Sequence, residues 1–102
     1  MRYILVLQWP GSSEGDLNAL FSMENDLNEA LGDHATVDGH DFGSSEMNIF
    51  IETDRPTQAF SDAQATLGDR ARWAEVRAAY REATGDIYTV LWPKGLTGFS
   101  VK

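Results

Sequence analysis

The chain has 102 residues, 42% hydrophobic and 24% charged, with a net charge of −8, which fits one globular domain, residues 1–102, around one core. It has no cysteine, which excludes disulfides, thiolate chemistry, zinc-thiolate sites and iron–sulfur clusters and fits a reducing cytoplasm. Residues 1–50 hold nine acids and one base, while residues 51–102 hold seven of each; a surface of that sign argues against nucleic acid and suits a basic protein or a cationic ligand, if it does more than keep the chain soluble.

Arg2 to Trp9, RYILVLQW, reads as a strand that stops at Pro10-Gly11. Its run YILVL is apolar on both alternating faces, as in a doubly buried strand. The run is too short for the core of a signal peptide, and no small-residue cleavage site follows it, so a cytoplasmic location is expected. No segment approaches the ~20 apolar residues of a membrane span.

Ser12-Ser13 cap a helix, with Asp16 in a capping-box position. Leu17, Leu20, Phe21, Leu27 and Leu31 recur at helical spacing, and Gly32 ends the run. His34 to Phe42 is a second, weaker strand. Gly43-Ser44-Ser45 is its turn, with the positive φ expected at Gly43, and Glu46 to Thr53 is a third strand. Asp54 to Thr57 opens a second helical region with Phe60, Ala63 and Leu67 on its apolar stripe. Gly68-Asp69 is either a break between two helices or a kink in one, and Asp69 can cap a second helical segment carrying Trp73, Val76, Tyr80 and Ala83 and ending at Gly85. Asp86 to Trp92 is the fourth strand, and the tail KGLTGFSVK has the alternation of a short edge strand.

The order β-α-β-β-α-β, with Trp-Pro after both VLQ and VL near the two ends, resembles the ferredoxin-like fold over residues 2–92. The resemblance implies an α+β split β-α-β sandwich with a four-stranded antiparallel sheet and helices on one face. The segment VDGHDFGSSEMNIF is similar to one found in a group of small uncharacterised bacterial proteins, a similarity that implies no activity. The fold itself hosts many unrelated functions.

In that arrangement the uncovered sheet face would carry several of Tyr3, Trp9, Phe50, Tyr88 and Trp92. An apolar patch of this kind marks an interface or a ligand groove. Two sheets could pack as a homodimer, or the tail from Lys94 could fold over the face. Base stacking is disfavoured by the acidic charge. Glu24 falls inside the apolar arc of the first helix, where it is either a desolvated proton-transfer group or a margin residue with a hydrogen-bond partner. Arg70, Arg77 and Arg81 share a face of the expected last helix, either as an anion-binding row or as a solvated face.

The stretch Asp38-Gly39-His40-Asp41 is richer in titratable groups than a hairpin needs. Asp38, His40, Asp41 and Glu46, with His34 nearby, are candidate metal ligands, Asp38 and His40 foremost, but the stretch matches no established metal motif, and no cofactor motif occurs in the chain. Regular alternation puts Asp38 and His40 on one face and Asp41 on the other, unless a bulge at Gly39 re-aims them.

The expected function is a non-catalytic acidic binding or interaction domain. It would dimerise, or bind a small ligand or basic protein, through the aromatic face and the Arg77 and Arg81 side chains. One rival is a small enzyme of dimeric α/β-barrel type, with His40 as acid/base, Asp38 or Asp41 orienting it, and Glu24 as a buried carboxylate. Another is an inhibitor or immunity-type protein masking a basic partner.

Overall fold

The computed structural model describes all 102 residues. It is an α+β fold in which two helices pack on one face of a five-stranded open antiparallel sheet. The strands are β1 (Tyr3–Pro10), β2 (Ala35–Gly43), β3 (Glu46–Thr53), β4 (Arg77–Glu82) and β5 (Thr89–Trp92), in the order β2-β3-β1-β4-β5. The helices are α1 (Glu14–Ala30) and α2 (Pro56–Leu67), and a short 3-10 segment spans Ala71–Glu75. No helix is long and apolar enough to cross a membrane.

β1 is central and pairs along almost its whole length with β3 and β4. Its residues from Ile4 to Trp9 are all buried, as the two-sided apolar run requires. Leu5, Leu7 and Trp9 face the helices, together with Met47, Ile49 and Ile51 of β3. Leu20, Met23 and Leu27 of α1 and Ala59, Ala63 and Leu67 of α2 close over them. Each large aliphatic side chain buried this way contributes about 1.5–3 kcal/mol. Phe21 lies outside the buried stripe of α1; Met23 supplies the core contact instead.

The start of α1 is set by a capping box. The Asp16 N–H donates to Ser13 Oγ at 3.0 Å, and the Ser13 and Ser12 N–H groups donate to Asp16 Oδ2 at 3.1 and 2.9 Å. Arg72, from the 3-10 segment, pairs with Asp16 Oδ1 at 2.8 Å. The backbone N–H bonds of Ser12 and Ser13, then Arg72 and the Ser13 hydroxyl, hold the Asp16 carboxyl well below its ordinary value of 3.8. A carboxyl whose folded pKa is lowered stabilises the fold fully above its unfolded pKa, and that stabilisation is lost as pH falls toward the folded value. Asp16→Asn is therefore expected to lower stability at pH 7 and to flatten the loss below about pH 4.5, measured by urea denaturation across pH. Parallel pH profiles for the two proteins would count against this role.

The expected helix over Asp69–Gly85 is not formed. Ala71–Glu75 is one 3-10 turn, and Arg77–Glu82 is β4. RAAYRE has the composition of a good helix, but it also alternates. Ala78 and Tyr80 turn toward the helices, while Arg77, Ala79 and Arg81 take the other side, in register with Gln8, Val6 and Ile4. The second edge of β1 needs a hydrogen-bonding partner, and that tertiary demand overrides propensity. The expected fourth strand consequently becomes β5, shortened to Thr89–Trp92 at the sheet edge, and the sheet has five strands rather than four. The tail forms no strand.

The β2–β3 hairpin turns at Ser44-Ser45, and the positive φ falls on these two serines (55° and 64°) rather than on Gly43. Two consecutive left-handed residues give the turn the twist that adjacent strands need. Gly39 also has a positive φ, 151°, where the β2 register slips past Asp38. That bulge changes the phase of the strand. Ala35 and Val37 face the helices before it, and His40 and Phe42 face them after it.

Candidate functional site

Gln8 and Asn48 are direct cross-strand partners on the sheet face away from the helices. Both are buried within strands that are otherwise largely apolar, so their amides must pair. Gln8 Nε2 donates to Asn48 Oδ1 at 3.0 Å and to Glu46 Oε2 at 3.2 Å, and Asn48 Nδ2 donates to the same Glu46 oxygen at 3.1 Å. Glu46 is only 8% exposed.

The C-terminal tail completes this network. Gln8 Nε2 also reaches the Ser100 carbonyl at 2.9 Å, so its two N–H groups are shared among three acceptors, and the Lys102 backbone N–H donates to Glu46 Oε2 at 3.0 Å. Phe99 packs on Tyr88 with ring centroids 5.0 Å apart. Val6, Asn48 and Ala79, on the face without helices, have no exposed area. The tail therefore lies along this face, tied to it through side chains rather than through a backbone ladder.

Beside the network opens a cleft of about 400 Å³ lined by Gln8, Trp9, Pro10, Ser45, Glu46, Glu75, Arg77 and Lys102. Its size is that of a small-molecule site. Glu46 Oε2 takes three N–H donors, while Glu46 Oε1 takes none. That oxygen is not sealed away, since the occluded polar atoms without a partner are Trp9 Nε1, His34 Nδ1 and Trp73 Nε1. Glu75 and Arg77 also line the cleft, and neither belongs to any ion pair of the chain. The cleft thus presents an anchored carboxylate oxygen, a second carboxylate, one unpaired guanidinium and, from the tail, Lys102.

The bulge at Asp38 gives His40 a different neighbour from those expected. His40 Nδ1 lies 3.1 Å from both carboxylate oxygens of Glu24, and Phe21 packs edge-on against the imidazole at 5.4 Å. Glu24 is thus a margin residue of α1 with a hydrogen-bond partner. Asp38 is the extra residue of the bulge and is exposed, and Asp41 lies opposite Asn48 on the other face; His40 pairs with neither. No three His, Cys, Asp or Glu residues converge as a metal-holding group. Neither cleft of the chain is lined by Glu24 or His40.

The aromatic residues assigned to one sheet face are divided. Trp9 is buried in the helix-side core, Tyr3 packs edge-on against Tyr80 at 5.6 Å, and Trp92 packs near Phe60 at 6.3 Å. Phe50 is on the opposite face, and Tyr88 is under the tail residue Phe99. The arginines also separate. Arg70 pairs with Asp26 of α1, Arg77 enters the cleft, and Arg81 Nη1 is shared among the carbonyls of Glu82, Ala83 and Gly85. Arg81 therefore braces the turn after β4, beside a second cleft of about 360 Å³.

Sequence reading missed Gln8, Glu75 and Asn48, and took Glu46 only as a candidate metal ligand. A Gln and an Asn inside two strands of high apolar content were a signal for the first and third of these. Comparison of the chain with protein-family models, curated proteins and solved structures finds no match.

Proposed function

We propose that this chain is a non-catalytic binding domain that takes its ligand in the cleft at the Trp9-Pro10 end of β1. The β2-β3-β1-β4 order with two helices on one face supports a ferredoxin-like frame, to which β5 adds an edge. Fold alone implies no activity, so the reading rests on the site. The observation that carries it is Glu46, 8% exposed, held by three donors on one oxygen and free on the other beside a cleft of about 400 Å³. A carboxylate fixed by its neighbours offers a preorganised acceptor and loses little freedom on binding.

The Glu24–His40 contact favours the small-enzyme reading, because a histidine oriented by a carboxylate is the usual acid/base arrangement. That pair lies outside both clefts, so the binding reading stands first. A fragment screen by ¹H–¹⁵N correlation NMR, using small charged and neutral organic fragments, separates the two. The amides of Gln8, Ser45, Glu46 and Arg77 are expected to shift together. Hits confined to Glu24, His40 and Phe21 would replace this reading with the enzymatic one.

A further inference from the structure

The cleft carries both signs of charge, and Glu46 and Arg77 line it from opposite sides of β1. Glu46 is on β3 and Arg77 on β4, the two neighbours of β1, and Gln8 of β1 lies between them. Three adjacent strands span about 10 Å, a distance that two side chains and a short ligand can bridge. Glu46 Oε1 is an open acceptor for an ammonium group, and Gln8, whose amide nitrogen is already committed to Glu46, Asn48 and Ser100, keeps its oxygen for the same donor. Arg77 has no partner in the chain, and its planar fork matches a carboxylate. A purely anionic ligand would meet Glu46 and Glu75, and a purely cationic one would meet Arg77 and Lys102. A molecule with both charges meets a partner of opposite sign at each end.

We propose that the cleft binds a small zwitterion, its ammonium group on Glu46 and Gln8 and its carboxylate on Arg77. This deepens the reading of the cleft as a binding site and rests on it. The ligand class follows from charge placement: Glu46 on β3 at one side of Gln8 and Arg77 on β4 at the other.

Three matched probes test it: γ-aminobutyrate, n-butylamine and butyrate, each titrated into the ¹⁵N-labelled full chain. γ-Aminobutyrate is expected to shift the Ser45, Glu46 and Arg77 amides and to bind at least about tenfold more tightly than either single-charge analogue, as expected when two charge-assisted contacts replace one. Glu46→Gln and Arg77→Met should each remove most of that preference, while Arg77→Lys should retain part of it because the charge stays and the fork is lost. Glu46→Gln keeps acceptors for the buried amides, and Arg77 is exposed, so both variants are expected to fold. If n-butylamine or butyrate binds these amides as tightly as γ-aminobutyrate, the cleft remains a binding site and the zwitterion assignment is overturned. If none of the three probes moves these amides, the assignment is overturned as well. In that case the fragment screen decides the fate of the cleft reading independently.

Discussion

Trp9→Ala is expected to lower the unfolding free energy by about 3–5 kcal/mol, a large share of the roughly 5–15 kcal/mol that holds a domain of this size folded. Trp9 is 2% exposed and ends the helix-facing row of β1, in one core with Met47 and the inward side chains of α1. Truncation removes the more deeply buried of the two core tryptophans and leaves a cavity that neighbouring strands, fixed by their ladders, cannot close. Trp9→Phe should cost much less, under about 2 kcal/mol. The indole Nε1 is buried without a partner, so replacing it removes a desolvated donor along with some volume. Urea denaturation followed by far-UV circular dichroism measures both variants. A loss below about 1 kcal/mol for Trp9→Ala would mean that the side chain lies on an uncovered surface, one of the placements the sequence left open.

The difference between these two placements shows which parts of the fold are local. β1, the capped start of α1, the β2–β3 hairpin and β3 follow from short-range signals: a β-branched run ended by Pro-Gly, Ser13 with Asp16, and a polar turn between alternating strands. Arg77–Glu82 does not. Its alanines, arginines and glutamate favour a helix, and the unpaired edge of β1 makes it a strand. Once β4 is placed there, DIYTVLW is displaced outward to become an edge strand, and Trp92 turns toward Phe60.

The site was legible in fragments. Glu24 and His40 are each conspicuous, but their contact depends on the phase change at Gly39, which moves His40 to the α1 side. The possibility of such a bulge could be read from the glycine; its position relative to β3 could not, because register is a property of the pair of strands. The Gln8–Glu46–Asn48 network has a sequence separation of 38 to 40 residues and closes only when the tail returns to it. No local pattern encodes that return.

The network makes a second large effect measurable. Glu46→Ala is expected to lower stability by about 2–3 kcal/mol, because it leaves a buried donor without an acceptor. Asn48 is fully buried, and Glu46 Oε2 is the acceptor for its Nδ2 group. Gln8 is less affected, since its amide nitrogen still reaches Asn48 Oδ1 and the Ser100 carbonyl. The Lys102 N–H loses its acceptor too, so amide exchange should rise at the end of the tail before it rises in β1. Glu46→Gln separates hydrogen bonding from mere truncation. Its amide oxygen can accept from the same three donors, and the loss should stay below about 1 kcal/mol, reflecting the weaker bond of a neutral acceptor. Urea denaturation and hydrogen exchange on the two variants give the comparison. Equal losses would mean that the negative charge, rather than the accepting oxygen, holds the network. If Glu46→Ala left tail exchange unchanged, the tail would have to be fixed by Phe99 on Tyr88 instead, and the polar tie to Gln8 and Glu46 would be incidental.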